Sequence, residues 1–266
     1  MMLNAEMPLN KNTTKWPYPV HYGKKNEIDA DVLIIGGGIA GCHAAINAAK
    51  RGAKTVVIDK GPVIRSGNGG SGVDHWHCAC TNPCSKVTPE EMVETILEAR
   101  GHITPSEYGI GAAFYILCRE SYDALLDIEK MGVKIRDEDD EFRGAEFRDE
   151  ATRFLFAYDY ENRTIMRVQA ALVKPALYKE LSRQNIEIHD YVMATSLLTE
   201  GGDSGARVVG ATGLHVRTGE FFVIHAKASI VCSGPSNRLW VFSTELAGAN
   251  SAHDDPNCTG DGNAMA

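Results

Sequence analysis

Three glycines and one carboxylate carry the first chemical signal in the sequence. Gly36-x-Gly38-x-x-Gly41 follows the apolar run Val32-Leu33-Ile34-Ile35, and Asp59 closes a second run, Thr55-Val56-Val57-Ile58. That order suits a dinucleotide cradle. Gly36 permits a tight turn, Gly38 lets backbone N–H groups approach a pyrophosphate, and Gly41 lets a helix pack close to the strand. Ile39 and Ala40 fall at the start of that helix, whose N-terminal N–H groups and partial positive charge attract phosphate. Asp59 is placed to accept hydrogen bonds from ribose hydroxyls. The bland alternative is a Rossmann-like turn that holds no ligand. The fingerprint by itself does not separate a flavin from a nicotinamide dinucleotide.

The second signal is Asp74-His75-Trp76-His77-Cys78-Ala79-Cys80-Thr81-Asn82-Pro83-Cys84. Clustered thiols and imidazoles ligate zinc or iron–sulfur centres. Here the spacing is C-x-C-x3-C, not the usual pair of C-x2-C units, so no metal is assigned. The thiols read as small apolar fillers. His75 and His77 are candidates to donate a hydrogen bond, since imidazole titrates near neutral pH. His43 reads as an ordinary helix residue, and Cys118 and Cys232 as inert thiols in apolar surroundings. Arg148 and Arg153 flank Phe154-Leu155-Phe156-Ala157-Tyr158, which reads as a packed strand and not an anion site.

The elements that must position these residues follow from periodicity. Residues 31–58 read as strand, turn, Ala-rich helix closed by Gly52, and strand. Residues 61–86 form an aperiodic loop of a length that is usually functional. Thr88-Pro89-Glu90-Glu91 and Thr104-Pro105-Ser106-Glu107 each fit a capping box with Pro at the first helical position. The second of these helices sets Ile110, Phe114, Leu117, Leu125 and Ile128 near one face and stops at Gly132. The charge-dense residues 137–150 read as a solvated surface segment. A helix over 165–184 is expected to kink at Pro175. Strands follow at 186–189, 192–199, 207–216, 221–225 and 228–232, with a tight turn at Thr218-Gly219.

The fold class is therefore α/β: a Rossmann-like domain with a doubly wound, mostly parallel sheet and an inserted β-meander. Residues 1–28, polar and extended around Trp16-Pro17-Tyr18-Pro19, read as an N-terminal extension to a domain over 29–266. Residues 259–266 read as a helix cut off in its first turn, and the chain as a fragment.

Composition bounds the function classes. The 266 residues are 44% hydrophobic and 23% charged, enough for a sizeable core, which excludes a disordered tail, a collagen-like repeat or a small disulfide scaffold. With Lys+Arg 27 against Asp+Glu 35 the net charge is -8, and no basic cluster offsets it. That argues against nucleic acid or an anionic membrane as partner. No apolar run reaches the roughly 18 residues of a membrane-spanning helix, and the N-terminus lacks the apolar core of a signal peptide. The seven irregularly spaced cysteines fit reduced thiols and a cytoplasmic location.

Beyond the fingerprint, Asp59-Lys60, then Arg65-Ser66, then the small-residue loop 67–72 resembles the flavoprotein subunits of the fumarate reductase/succinate dehydrogenase family. Val231-Cys232-Ser233-Gly234 resembles that family's strand ending in a small-residue turn. Thr259-Gly260-Asp261-Gly262 resembles its Thr-Gly-Asp-Gly motif, whose Asp contacts FAD. The likeness covers residues 30–266 in order, and the adenylylsulfate reductase flavoprotein is similar in pattern. It implies FAD, held by Gly36, Gly38, Ile39, Ala40, Gly41, Asp59, Lys60, Arg65, Ser66, Gly67, Gly70, Ser71, Gly72, Ala194, Ser233, Gly234 and Asp261. It implies non-covalent FAD, because Gly67 stands where succinate dehydrogenases carry the histidine that attaches to the flavin.

The resemblance further implies hydride transfer to or from a small carboxylate or a similarly activated C–C bond, with electrons from a separate iron–sulfur or other redox partner. Gly70-Ser71-Gly72-Val73 departs from the family's Gln-Gly-Gly. The family's substrate-gripping His and Arg residues follow the Thr-Gly-Asp-Gly motif, so no catalytic residue is assigned beyond the candidates His75 and His77. The competing expectations are an adenylylsulfate-reductase-like or ketosteroid-dehydrogenase-like flavoenzyme, an NAD-dependent dehydrogenase, and a non-catalytic electron-transfer or metal-binding module.

Overall fold

A computed structural model describes residues 20, 22–101, 111–168, 170–235 and 258–266. Most of the N-terminal extension and the helix start at Thr104 lie outside the described residues. The chain divides into two units, residues 1–68 with 181–266, and residues 69–180. In chain order the elements are β1 (Lys25–Ile35), α1 (Ile39–Lys50), β2 (Thr55–Asp59), β3 (His75–Trp76), α2 (Pro89–Gly101), α3 (Gly111–Lys130) and β4 (Met166–Arg167). There follow α4 (Val173–Arg183), β5 (Glu187–Asp190), β6 (Val192–Thr199), β7 (Val208–His215), β8 (Phe221–Val231) and α5 (Asp261–Met265).

The first unit is built on one sheet in the order β5-β2-β1-β8-β7-β6. The β5, β2, β1 and β8 pairs are parallel, and β8, β7 and β6 form the antiparallel meander. Buried parallel strands need unbroken apolar runs. Leu33-Ile34-Ile35 and Thr55-Val56-Val57-Ile58 supply them, and all seven side chains are buried. Leu33, Val56, Ala211 and Ile224 pack in one core with Ile35, Ile58 and Val192. Strand β1 begins at Lys25, inside the segment read from sequence as an extension. Its register with β8 runs from Lys25↔Phe221 to Ile35↔Val231, so the partner strand extends the pairing into polar residues. The two strands expected at 221–225 and 228–232 are likewise one strand, β8.

Helix α1 turns Gly41, Cys42, Ala45 and Ile46 inward. It ends as predicted at Gly52, whose φ is +85 and whose N–H donates to Ala49 O.

In the second unit, the first capping box forms as read. Thr88 N donates to Glu91 Oε2 at 2.8 Å, and Glu91 N donates to Thr88 Oγ1 at 3.2 Å. Helix α3 buries Cys118, Ser121, Leu125 and Ile128. Leu117, expected on that face, is 46% exposed beside Ile116. Three further expectations are corrected. The 137–150 segment is not simply solvated, because Arg148 and Asp137 are both buried and paired at 2.7 Å. A guanidinium ringed by Asp137, Asp140 and Glu150 satisfies its own charge, so burial is tolerated. Phe154 and Phe156 are fully buried, but in isolated bridges and not a continuous strand. Residues 165–184 are β4, a 3-10 turn over Ala170–Leu172 and α4. Pro175 lies in the first turn of α4, where a missing N–H leaves no bond unmade. No described helix is long and apolar enough to cross a membrane.

Candidate functional site

The site in the first unit is built where β1 hands over to α1. Gly36 has φ +103, and a Cβ there would lie 2.4 Å from Cys232 O. Its N–H donates to Ile58 O at 2.9 Å, tying the turn to β2. A Cβ on Gly41 would sit 1.9 Å from Gly36 O. These two glycines are demanded by backbone packing. Gly38 differs: the nearest atom to its would-be Cβ is Gly67 Cα at 3.8 Å. Gly38 is also the N-cap of α1, extended, and no side chain caps the helix there. Helix starts leave N–H groups that need partners, and they attract anions. An open position beside an uncapped helix start is what a phosphate requires. Ile39 and Ala40 are the first two residues of that helix, and Ala40 is exposed.

Gly67, at φ +77, lies against Gly38, and a Cβ on it would come within 2.9 Å of Gly38 Cα. Glycine at this position is therefore a steric requirement of the turn. Asp59 accepts from Gly37 N through Oδ2 at 2.6 Å and from Gly61 N through Oδ1 at 2.7 Å. Each carboxylate oxygen has a second lone pair for a hydroxyl. Ser66 is buried, its hydroxyl turned to Val63 O, and Arg65 is exposed at the end of the short 3-10 turn Val63–Arg65.

The two late motifs converge on this turn. A Cβ on Gly262 would meet Ser233 Oγ at 2.1 Å and Val231 Cγ1 at 2.7 Å, while Gly234 (φ +76) faces Cys258 Sγ. Lys60 Nζ donates to Thr259 Oγ1 at 2.7 Å and to Asp261 Oδ2 at 2.5 Å, and Thr259 Oγ1 donates to Asp261 Oδ1 at 2.9 Å. Lys60 and Asp261, each assigned separately to a cofactor from the sequence, hold one another. Ala194 is placed against the sheet core, opposite Gly213. Sequence reasoning missed Asp190, which accepts from Val63 N at 2.8 Å and anchors the 3-10 turn. It also missed Asn68, whose Oδ1 accepts from Cys258 Sγ at 3.3 Å. Asp190 stands in no motif, and Asn68 is passed over among the glycines of the 67–72 loop, so only their neighbours' roles point to them.

Gly70, Ser71, Gly72, His75 and His77 belong to the second unit. Gly72 N donates to Gly69 O at 3.2 Å. His75 Nδ1 lies 2.7 Å from Asp74 Oδ1, and its ring centroid lies 4.5 Å from that of Tyr158. A cavity of about 410 Å³ opens between His75, Trp76 and His77 and the exposed Ile116, Leu117 and Glu120 of α3. Burial holds the His77 imidazole below the usual histidine range. The His75 ring pushes the same way and Asp74 opposes it. The three loop thiols do not converge. Cys80 lies against Cys118, and Cys84 Sγ lies 3.5 Å from Thr152 Oγ1. Among the described residues no three His, Cys, Asp or Glu side chains gather to hold a metal ion.

Comparison with known proteins agrees with this geometry. Residues 31–266 match the family described as FAD binding domain. The chain is 28% identical over 220 residues to a subunit of fumarate reductase (CoM/CoB) from Methanothermobacter marburgensis, covering 80% of this chain and 36% of that one. It shares its fold with adenylylsulfate reductase of Archaeoglobus fulgidus (TM-score 0.68, 24% identity, 93% of this chain and 37% of that one). It also shares it with 3-ketosteroid-delta4-(5alpha)-dehydrogenase of Rhodococcus jostii (TM-score 0.63, 17% identity, 90% and 53%).

Proposed function

The chain belongs to the FAD binding domain family, and from that premise we propose that it is the FAD-holding part of an oxidoreductase. Its reaction is hydride transfer to or from a small carboxylate or a similarly activated carbon–carbon bond. The observation that carries the reading is the contrast within the glycine turn. Packing demands Gly36 and Gly41, whereas Gly38 is open beside an uncapped helix start. That cradle fits FAD, which supplies two-electron redox chemistry when bound.

The backbone at Gly38, Ile39 and Ala40 receives the pyrophosphate. Asp59 accepts from ribose hydroxyls while Gly37 N and Gly61 N fix its orientation. Ser233, Gly234 and Asp261 complete the cradle, with Asp261 steadied by Lys60. Arg65, Ser66 and Gly67 border it, and Gly67 offers no side chain for covalent attachment to the flavin. For Gly70, Ser71, Gly72 and Ala194, the support is the family resemblance alone. His75 or His77 is assigned on the same ground to donate a hydrogen bond to a substrate or to the flavin. The 28% identity to the fumarate reductase of Methanothermobacter marburgensis supports the fumarate-type reading, with adenylylsulfate-reductase-like and ketosteroid-dehydrogenase-like chemistry as the alternatives. An iron–sulfur partner and a cytoplasmic location belong to the same reading, and the chain spans 36% of that relative's length.

The test is an absorption spectrum of the protein as expressed, before and after acid precipitation. Flavin bands that move to the supernatant support non-covalent FAD. A protein that stays colourless after incubation with FAD overturns the reading, and a chromophore that stays in the pellet overturns the role given to Gly67.

A further inference from the structure

In the second unit, loop residues 76–81 lie along one turn of helix α3. Trp76 Nε1 donates to Ser121 O at 2.9 Å, Ser121 Oγ donates to His77 O at 2.6 Å, and Thr81 Oγ1 donates to Arg119 O at 3.2 Å. Cys80, 5% exposed, directly precedes Thr81, and Cys118, fully buried, directly precedes Arg119, and Cys118 adds to the upward shift of the Cys80 thiol. A disulfide needs two β-carbons about 3.5–4.5 Å apart on backbones that do not diverge. The Thr81–Arg119 bond joins the two residues that directly follow the cysteines and so brings loop and helix backbones together beside the pair.

We propose that Cys80 and Cys118 form an oxidation site that a small hydroperoxide closes to a disulfide, stapling the loop that carries His75 and His77 to helix α3. In the first step a thiolate sulfur attacks the peroxide. An S–O bond forms, the O–O bond breaks, and an alcohol leaves. In the second step the other thiol attacks the sulfenic sulfur. An S–S bond forms, the S–O bond breaks, and water leaves with the thiol proton. Two thiols are oxidised and one hydroperoxide is reduced. Burial, with Cys118 adding to it, pushes the Cys80 thiol up to about 12. The reacting thiolate is therefore scarce in neutral buffer, and closure accelerates in alkaline buffer. The staple fixes both walls of the cavity that His77 and Leu117 line. It acts within the second unit and does not depend on the FAD reading.

The test treats the reduced, folded chain with tert-butyl hydroperoxide and maps its peptides without reduction. The expected result is a chain two hydrogens lighter with a peptide pair joining Cys80 to Cys118. Dithiothreitol reverses the link, and both Cys80→Ser and Cys118→Ser abolish it. Cys84→Ser, which leaves the pair intact, keeps the link. Amide exchange over residues 74–84 slows in the linked form. A Cys78–Cys80 bridge, or sulfinic acid at Cys80 with no bridge while the circular dichroism stays native, overturns the proposal. Unchanged exchange in a linked chain overturns the stapling.

Discussion

Lys60 and Asp261, 201 residues apart in sequence, are joined by a 2.5 Å ion pair that Thr259 bonds on both sides. The end of β2, which presents Asp59, therefore carries the Thr-Gly-Asp-Gly motif directly. Both partners are partly buried, at 21% and 32% side-chain exposure, so the pair is screened less than a surface one. Charge-assisted hydrogen bonds of this kind contribute on the order of 1.5–3 kcal/mol. Lys60→Met is expected to lower unfolding stability by roughly 1–2 kcal/mol and FAD affinity by about tenfold. Asp261→Asn on top of Lys60→Met is expected to add little stability loss. Urea unfolding and FAD titration of both single variants and the double variant check this. Strictly additive losses would show that the two residues act independently.

The three fingerprint glycines are expected to separate into two classes. A methyl at Gly41 meets Gly36 O at 1.9 Å, and Gly41→Ala should cost about 1–3 kcal/mol or prevent folding. Gly38→Ala meets nothing closer than 3.8 Å, so the unfolding midpoint stays near that of the parent while flavin retention falls. Co-purified flavin per folded chain is the measurement. Full retention in a folded Gly38→Ala protein would remove the pyrophosphate from this turn.

Two histidines give stability a defined pH dependence. Burial lowers the pKa of His77, and burial also lowers that of His215, with Arg217 assisting and Glu220 opposing. The neutral His215 ring accepts from Arg217 N and Thr218 N at its Nδ1, and protonation removes both bonds. With the folded pKa below the unfolded one, the unfolded chain binds more protons between the two values. Stability is then full above the unfolded value, about pH 6.5, and falls as pH drops toward the folded values. Denaturant midpoints from about pH 7.5 down to about pH 5 should decline, and His215→Asn should flatten the decline.

Arg148 is the buried hub of the acidic segment, paired with Asp137 at 2.7 Å and also with Asp140 and Glu150. Burial pushes Asp137 up, but the N–H groups of Phe142 and Glu141 and the Arg148 guanidinium outweigh it and hold the carboxyl below its usual value. Arg148→Met leaves three carboxylates around an apolar side chain. Its thermal midpoint should fall well below that of Arg153→Met, since Arg153 is exposed and only 3.9 Å from Asp140. Added salt should recover part of the loss. Equal midpoints for the two variants would refute the hub.

The sequence was most legible where chemistry and local structure demand the same residue. The β1–α1 turn could be read because Gly36 turns at φ +103 and Gly41 packs on Gly36 O, both demands of the strand–turn–helix connection itself. The capping box at Thr88 and Glu91 could be read because it closes within one turn. The mutual engagement of Lys60 and Asp261 was hidden because it joins distant segments, and each residue matched a cofactor role separately. Arg148 was misread because charge density signals solvent unless the acids surround one cation, which a linear pattern does not reveal. The length of β1 was misjudged because Lys25 to Asp29 are strand only by virtue of Phe221 to His225.

That last pairing bears on synthesis and folding kinetics. Strand β1 lies between β2, which follows closely in the chain, and β8, whose contact with it spans 195 residues at Asn26 and Phe221. A nascent chain reaching Asp59 can pair β1 with β2, but the other edge of β1 stays open until residues through Val231 have left the ribosome. Pairings of such high sequence separation close slowly, and open strand edges invite wrong partners. The glycine turn is tied to β2 early, through Gly36 N and Ile58 O, but Cys232, which packs against Gly36, reaches it only when β8 arrives.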